Sequence, residues 1–390
     1  MPKAFFRRYT HDLTSEELGK LFTRETPEAY QFFARGINTA ELEGLPWYQR
    51  IIKYAQGFFL AFTMRLSPAR RLMYGVALAA AVIGLLQLFT GFGLMRVPIP
   101  IALFFVTIRV PGPLFSDGTM WLLGAFLLMN LLVMLEVADR LSLKRDLEVA
   151  REIQQAMLPD GTWSGPGVEA FGLTKPANTV GGDFYDILPQ PDGTVIVALG
   201  DVAGKASPAA LLMALLLAML RTLVDEGLQG AELAKRLNAQ IVKHAPGSRF
   251  ITLFLATLNP ATGEMRYVNA GQNPPLLRRA TGSYERLREG GMALGMFSEA
   301  AYKEGCTTMN PGDVIVMYSD GITEAEDGQG QPFDEAGVER TTDLGNWGSA
   351  RELGWALFAA VQVHTEERRL LDDLTVLIAR RLPPLPTVVA

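Results

Sequence analysis

Cysteine is almost missing from this chain. Cys306 stands alone among 390 residues, which excludes an internal disulfide framework, a cysteine-built zinc site and an iron–sulfur cluster. Histidine is nearly as scarce: His11, His244 and His364 lie far apart, which argues against a multi-histidine zinc or iron site. There is no basic excess either. The formal charge is −5, so no nucleic-acid partner is expected. An ion bound here would need oxygen ligands, which favours magnesium or manganese.

Charge is also missing locally. The hydrophobic fraction is 49%, and Leu72 to Met95 carries no charged residue. As a helix this run would reach about 36 Å, enough for a hydrocarbon core of about 30 Å. A second uncharged run, Gly118 to Leu135, is near the minimum for a span. Between them, Val97 to Ile108 holds Pro98 and Pro100 and reads as part of a re-entrant or interfacial connection. Two buried helices of a soluble domain are the alternative, disfavoured by length. A cleaved signal peptide fails because the first run starts after seventy residues. Lys53, Arg65, Arg70 and Arg71 precede the first span, and Arg140, Lys144, Arg145 and Arg151 follow the second. The loop holds only Arg96 and Arg109, so both ends are expected in the cytoplasm, as a helical hairpin in the cytoplasmic (inner) membrane.

Upstream, Thr14-Ser-Glu-Glu17 has the form of a capping box. Trp47, Ile51, Ala55, Phe58 and Phe62 share a helical face, suited to an interfacial helix or an ordinary packed one. Residues 1–70 carry no sensory motif that identifies a stimulus. After the second span, Leu135 to Pro159 is strongly helix-forming and stops at proline. Leu143, Leu147, Ala150, Ile153 and Met157 form a packed or coiled-coil-like seam along it. Such a connector carries motion or dimer contacts, or is a passive tether.

Beyond Gly161 the pattern becomes mixed. Thr194–Gly200, Phe250–Leu258, Glu264–Ala270, Val314–Ser319 and Leu374–Ala379 read as strands; 208–223, 231–244 and 350–365 read as helices. Helix 208–223 is apolar all round. At sixteen residues, inside a soluble strand–helix pattern, it is expected to be sandwiched in a core and not to cross a membrane. Hairpins and helices segregate, so the class is α+β, a β-sandwich flanked by helices.

Four stretches carry aspartates with no local partner, three of them against apolar runs that put the acids at strand rims: Val-Gly-Gly-Asp183-Phe-Tyr-Asp186, Leu-Gly-Asp201-Val202, Tyr-Ser-Asp320-Gly-Ile-Thr-Glu324 and Leu-Asp372-Asp373. Gathering carboxylates at one rim is costly unless a cation neutralises them. Singly, each has an ordinary reading as a turn or a helix cap.

From the connector to the last strand, the residues resemble the SpoIIE/RsbU branch of the metal-dependent PPM protein phosphatases. The marks are Ala-Arg-Glu-Ile-Gln-Gln-Ala-Met-Leu-Pro159, Val-Gly-Gly-Asp183-Phe-Tyr-Asp186, Gly-Asp201-Val-Ala-Gly-Lys205 and Pro208-Ala-Ala-Leu. They continue with Asn269-Ala-Gly-Gln-Asn-Pro-Pro275, Ser319-Asp320-Gly-Ile-Thr-Glu and Asp372-Asp373-Leu-Thr. The resemblance implies two Mn2+ or Mg2+ ions and hydrolysis of phosphoserine or phosphothreonine on a protein, such as an anti-sigma-factor antagonist in a partner-switching pathway. It implies Asp201 bridging both ions with the Val202 carbonyl, Asp320 and Asp372 on one ion, and Asp183 on the other. Asp373 remains an alternative to Asp372, and Asp186 is a supporting residue. Expected organisation is a cytoplasmic segment over 1–70, two membrane helices within 71–137, a connector over 138–160 and the phosphatase domain over 161–384, as a homodimer.

Three departures from the family pattern stand out. Gly204-Lys205-Ala206 replaces Gly-Lys-Gly. Gln272 replaces a histidine, so activity is expected to survive with altered substrate contacts. The flap segment Ala325–Phe333 runs into Asp334-Glu335 in place of Phe-Gly, which bears on substrate gating. Rival readings are weaker. Gly200 to Ala206 is one residue short of a P-loop and lacks its Ser or Thr. Gly-Gly-Asp183-Phe resembles a diguanylate cyclase signature but lacks the second acid. A non-catalytic signalling module on the same fold is the runner-up, opposed by the presence of all the acids.

Overall fold

The computed structural model describes residues 46–383, apart from 91, 102–103, 114–116, 246–248, 346, 367 and 369. The capping box at Thr14–Glu17 lies outside the described residues. The chain divides into two compact units, Met1–Leu141 and Ser142–Ala390.

In the first unit, helix α1 (Trp47–Thr63) precedes α2 (Pro68–Thr90), strands β1 (Phe92–Ile101) and β2 (Phe104–Pro113), and α3 (Asp117–Met157). The apolar face of α1 is open at its start. Trp47 and Ile51 are exposed, and packing begins where the Phe59 and Phe62 rings meet Tyr74 of α2. The first uncharged run is not helical to its end: α2 stops at Thr90 and Phe92–Met95 enter β1, where Gly93, Pro98 and Pro100 disfavour a helix. The intervening segment is a two-stranded antiparallel ladder from Phe92↔Pro113 to Ile101↔Phe104. The second run and the connector form one 41-residue helix, α3, about 60 Å long at the usual rise.

Helices α2 and α3 approach closely at two glycines. A Cβ on Gly84 would lie 2.7 Å from Leu122 Cγ and 2.9 Å from the Gly118 carbonyl; one on Gly118 would lie 2.9 Å from the Gly84 carbonyl. Small residues at such a crossing let backbones touch, as they do between helices in lipid. Away from the glycines, Arg70 bridges Glu136 at 3.3 Å and Asp139 at 2.7 Å. Three helices among the described residues are long and apolar enough to cross a membrane: α2, α3 and α4 (Ser207–Asp225).

The second unit is built on two six-stranded sheets. One runs β10 (Tyr284–Arg286), β9 (Leu276–Arg278), β13 (Val314–Tyr318), β14 (Leu374–Arg381), β4 (Val168–Lys175), β3 (Thr162–Gly165). The other runs β11 (Gly290–Gly291), β8 (Glu264–Ala270), β7 (Ile251–Leu258), β6 (Val195–Val202), β5 (Phe184–Pro189), with β12 (Gly305–Thr308) also on β8. Every pairing is antiparallel except β11 with β8. Val197, Leu199, Phe254, Met317, Leu377 and their neighbours fill the space between the sheets.

Helices α4 and α5 (Gly230–His244) cover the outer face of the β5–β8 sheet through Met213, Leu216, Leu220 and Leu237. Helices α7 (Asp334–Asp343) and α8 (Ala350–His364) cover the other sheet through Val338, Leu353, Leu357 and Val361. The result is a helix–sheet–sheet–helix sandwich, the expected class. Helix α4 is packed on one face only, however, with Leu211 73% exposed and Leu215 40%. As an outer layer it has a core on one side, so its all-round apolarity exceeds what folding of this unit uses.

The Gly84–Gly118 crossing gives a direct test. Gly84→Val is expected to force α2 and α3 apart and destabilise their packing by about 1–3 kcal/mol. A lowered melting temperature of the full chain in detergent would report this, and an unchanged one would exclude the close packing.

Candidate metal centre

The strand register brings the acids together. Phe184 pairs with Gly200, which sets Asp183, just before β5, beside Asp201 on β6. Asp201 is not past the end of its strand as the sequence pattern suggests; β6 runs on through Val202, and Asp201 pairs with Thr252. Across the interface, Ser319 and Thr375 lock the ends of β13 and β14 together: the Ser319 amide donates to the Thr375 carbonyl at 2.9 Å, and the Thr375 amide to Ser319 Oγ at 3.0 Å. This sets Asp320, which opens the short helix α6 (Asp320–Thr323), next to Asp372 and Asp373. Gly182 and Gly321 are bare because nothing larger fits. A Cβ on Gly182 would come within 2.9 Å of both Asp201 Oδ1 and the Val202 carbonyl, and one on Gly321 within 2.1 Å of the Asp373 carbonyl.

The acids raise one another's pKa values. Burial pushes Asp201 up to about 7, helped by the charges of Asp320 and Asp372. Asp183 is held well above the usual carboxylate range by burial and then by Asp201, against weaker opposition from the Thr375 and Ser319 hydroxyls. Asp320 is raised by burial, Asp372 and Glu324. Asp183 Oδ2 is buried with no hydrogen-bond partner. An orphaned carboxylate oxygen, a neighbouring carboxylate and a carbonyl bared by glycine form a donor set suited to a hard divalent cation. Among the described residues, no three acidic, histidine or cysteine side chains already stand as a finished cage for an ion.

The two adjacent acids at the start of β14 differ. Asp373 is buried and both its oxygens are engaged: Oδ1 accepts from the Ala177 amide at 2.7 Å and Oδ2 from the Gly182 amide at 2.7 Å. Asp372 is half-exposed; its Oδ1 accepts from the Asp373 amide, and its Oδ2 lies 3.1 Å from Lys205 Nζ. Asp186 is also fully used, gripped by Arg221 at 2.7 and 3.2 Å.

The connector's contact with the rest of its unit is made by a polar residue that the apolar periodicity does not mark. Leu143 and Ile153 of the expected seam are exposed, whereas Gln154 is buried. Gln154 donates to the Gly181 carbonyl at 2.8 Å and accepts from the Gly181 amide at 3.2 Å, two residues before Asp183. Arg221 also donates to the Met157 carbonyl at 2.7 Å, and the Tyr185 hydroxyl donates to that of Pro159 at 3.2 Å. The end of α3 is thus bonded to the Asp183 segment by polar contacts that no apolar spacing could reveal.

The departures from the family pattern have structural counterparts. Ala206 sits at φ 62°, ψ −149°, a region reserved almost entirely for glycine and costing about 1–3 kcal/mol otherwise. Gln272 is buried, and its Nε2 donates to the Tyr318 carbonyl at 3.2 Å, so it supports the strand leading to Asp320. Asp334 adopts φ 59°, and Glu335 accepts from Arg286 and lies 3.3 Å from the Tyr318 hydroxyl. A groove of about 480 Å³ adjoins the acids, lined by Lys205, Gly321, Glu324, Arg368, Leu371 and Asp372.

Two outcomes are expected from this geometry. Raised folded-state pKa values mean that the native protein binds more protons than the unfolded chain between about pH 4 and 7. Without divalent ions, stability should therefore fall as pH rises through that window, and the melting-temperature gain from Mn2+ should be larger at pH 8 than at pH 5; the reverse order would refute the coupling. Gln154→Ala strands two backbone groups of Gly181, a loss of about 1–3 kcal/mol. Calorimetry should show lowered stability and weakened Mn2+ binding, and unchanged Mn2+ affinity would limit Gln154 to a structural tie.

A family model described as stage II sporulation protein E (SpoIIE) matches residues 191–382. The phosphoserine phosphatase RsbU of Bacillus subtilis is 26% identical over 240 residues, covering 61% of this chain and 71% of that protein. Among solved structures, the SiaA-PP2C domain of Pseudomonas aeruginosa matches with a TM-score of 0.56 at 21% identity, covering 63% of this chain and 99% of that one. The PP2C phosphatase domain of SpoIIE from Bacillus subtilis, solved with a fragment of its regulatory domain, matches with a TM-score of 0.50 at 18% identity, covering 55% and 63%. At these identities the solved structures establish the fold alone. Residues 191–382 thus match the SpoIIE phosphatase family model, in a unit with a PP2C-like fold.

Proposed function

We propose that this chain is a membrane-tethered, metal-dependent phosphatase that hydrolyses phosphoserine or phosphothreonine on a signalling protein. The observation carrying the chemistry is the convergence of Asp183, Asp201, Asp320 and Asp372 at one end of the sandwich, with the Asp183 oxygen unpartnered. In this reading Asp201 bridges two Mn2+ or Mg2+ ions with the Val202 carbonyl beside it, Asp320 and Asp372 hold one ion, and Asp183 serves the other. The commitment of both Asp373 oxygens to backbone amides supports Asp372 as the ligand and Asp373 as the brace of the Gly182 turn. Bound ions would supply an acidified water and a clamp for the phosphoryl oxygens. The protein's part is to fix the acids rigidly and leave an open groove beside them for the segment carrying the phosphoresidue.

For organisation, we take residues 1–70 as a cytoplasmic segment, 71–137 as a two-helix membrane region, 138–160 as the connector and 161–384 as the phosphatase domain. The lengths of α2 and α3 and the Lys and Arg residues outside the hairpin favour a multi-pass protein of the cytoplasmic membrane with its phosphatase domain in the cytoplasm. Exposed Leu141, Leu143, Val149 and Ile153 on α3 fit a homodimer. The similarity to RsbU favours a phosphorylated anti-sigma-factor antagonist, or a similar partner-switching protein, as substrate.

The full chain, purified in detergent, is expected to hydrolyse p-nitrophenyl phosphate and a phosphoserine protein only with Mn2+ or Mg2+. Asp201→Asn and Asp320→Asn should each lower turnover by about a hundredfold or more without unfolding the protein, whereas Asp373→Asn should chiefly lower the melting temperature. A folded wild-type chain inactive with both metals would sink the proposal in favour of a non-catalytic module.

A further inference from the structure

We infer that Lys205 is a tethered counter-cation of the acid cluster, a positioning residue that occupies Asp372 until a divalent ion replaces it. The inference rests on the metal-centre reading above and concerns how that centre is filled. Lys205 belongs to the turn between β6 and α4, yet its ammonium lies 3.1 Å from Asp372 Oδ2 and donates to the Leu371 carbonyl at 2.9 Å. It therefore ties the two sheets' contributions to the site together. Among the described residues it is the only cation ion-paired with any of Asp183, Asp201, Asp320, Asp372 or Asp373.

The backbone around Lys205 is unusual on both sides. Gly204 sits at φ 118° and Ala206 at φ 62°, ψ −149°. Arg249 braces the turn: it donates to the Ala203 carbonyl at 3.3 Å, and a Cβ on Gly204 would fall 2.5 Å from its guanidinium. Strain of this kind persists where the surroundings over-determine it, typically at functional sites. Here the strained turn presents Lys205 to the loop carrying Asp372.

The two oxygens of Asp372 are engaged differently. Oδ1 accepts the Asp373 amide, and Oδ2 is the oxygen that Lys205 holds. An ammonium and a divalent cation at that oxygen draw on the same negative charge and repel each other, so they compete for it. Metal entry at Asp372 therefore favours release of the ammonium. Until then the ammonium offsets one of the negative charges gathered at the site. The pair is half-exposed, so the competition is modest and reversible.

Isothermal titration of Mn2+ into the full chain in detergent tests the exchange. Lys205→Gln is expected to tighten Mn2+ binding about threefold, the size of an exposed ion pair, and Lys205→Arg to restore the wild-type value. Arg368→Gln, which removes a charge from the same groove without an Asp372 contact, should leave the affinity unchanged. A Lys205→Gln protein that binds Mn2+ no more tightly than wild type overturns the inference, and so does equal tightening by Arg368→Gln, which would indicate a general field. Independently of any variant, acetylation of Lys205 in the wild-type chain, followed by mass spectrometry, should quicken when Mn2+ is added. A rate that Mn2+ leaves unchanged overturns the inference as well. Absence of Mn2+ binding to the wild-type chain would instead bring down the metal centre itself, and this inference with it.

Discussion

Carboxylates that are pulled out of water and into one another's fields repel, and much of the second unit can be understood as an answer to that repulsion. The interior between the sheets is apolar, so it cannot host the acids. They collect at the end of the sandwich, where strands stop and backbone amides and solvent are within reach. Each acid is handled differently: Asp373 by two amides, Asp186 by a bidentate guanidinium, Asp372 by an ammonium. Asp183 and Asp201 have no comparable partner, and their raised pKa values show it. These two mark where positive charge is wanted most.

The same constraint fixes the backbone. Gly182 and Gly321 leave room for oxygen atoms where a methyl group would collide, and the Ser319–Thr375 pairing holds the two strand ends level. Precision at the acids is thus inherited from the ladders of β5–β6 and β13–β14, which are buried on both faces. Connector and site are joined through the same device. Gly181 spends both its backbone groups on Gln154, so the position of Asp183 depends on the seating of the last turns of α3.

Much of this was legible in the residues. Hydrophobic runs bounded by Gly-Asp or Ser-Asp marked β6 and β13 with their acids, and the ordered motifs fixed the family. Strand β4 was not legible, because Ala170 faces one core and Phe171 the other, and burial on both sides erases the alternation. The connector's seat was hidden for another reason: Ile153 is exposed, and a polar residue, Gln154, holds the helix to the Gly181 segment. Asp372 and Asp373 could not be separated by sequence, since neighbouring identical residues differ only in which backbone amides fold over them. The choice of Gln272 as an internal prop likewise depends on a carbonyl contributed from 46 residues away.

The ladder between β1 and β2 has a further implication. Its four prolines pair as Pro98↔Thr107, Pro100↔Phe105, Leu94↔Pro111 and Phe92↔Pro113, all in the same alternating class of positions. Since proline has no amide hydrogen, the ladder keeps its bonds only if this class points away from the partner strand. Both outer edges then carry gaps where a neighbouring strand would seek donors. These strands are therefore poor templates for pairing with a further strand, which guards the hairpin against edge-to-edge association.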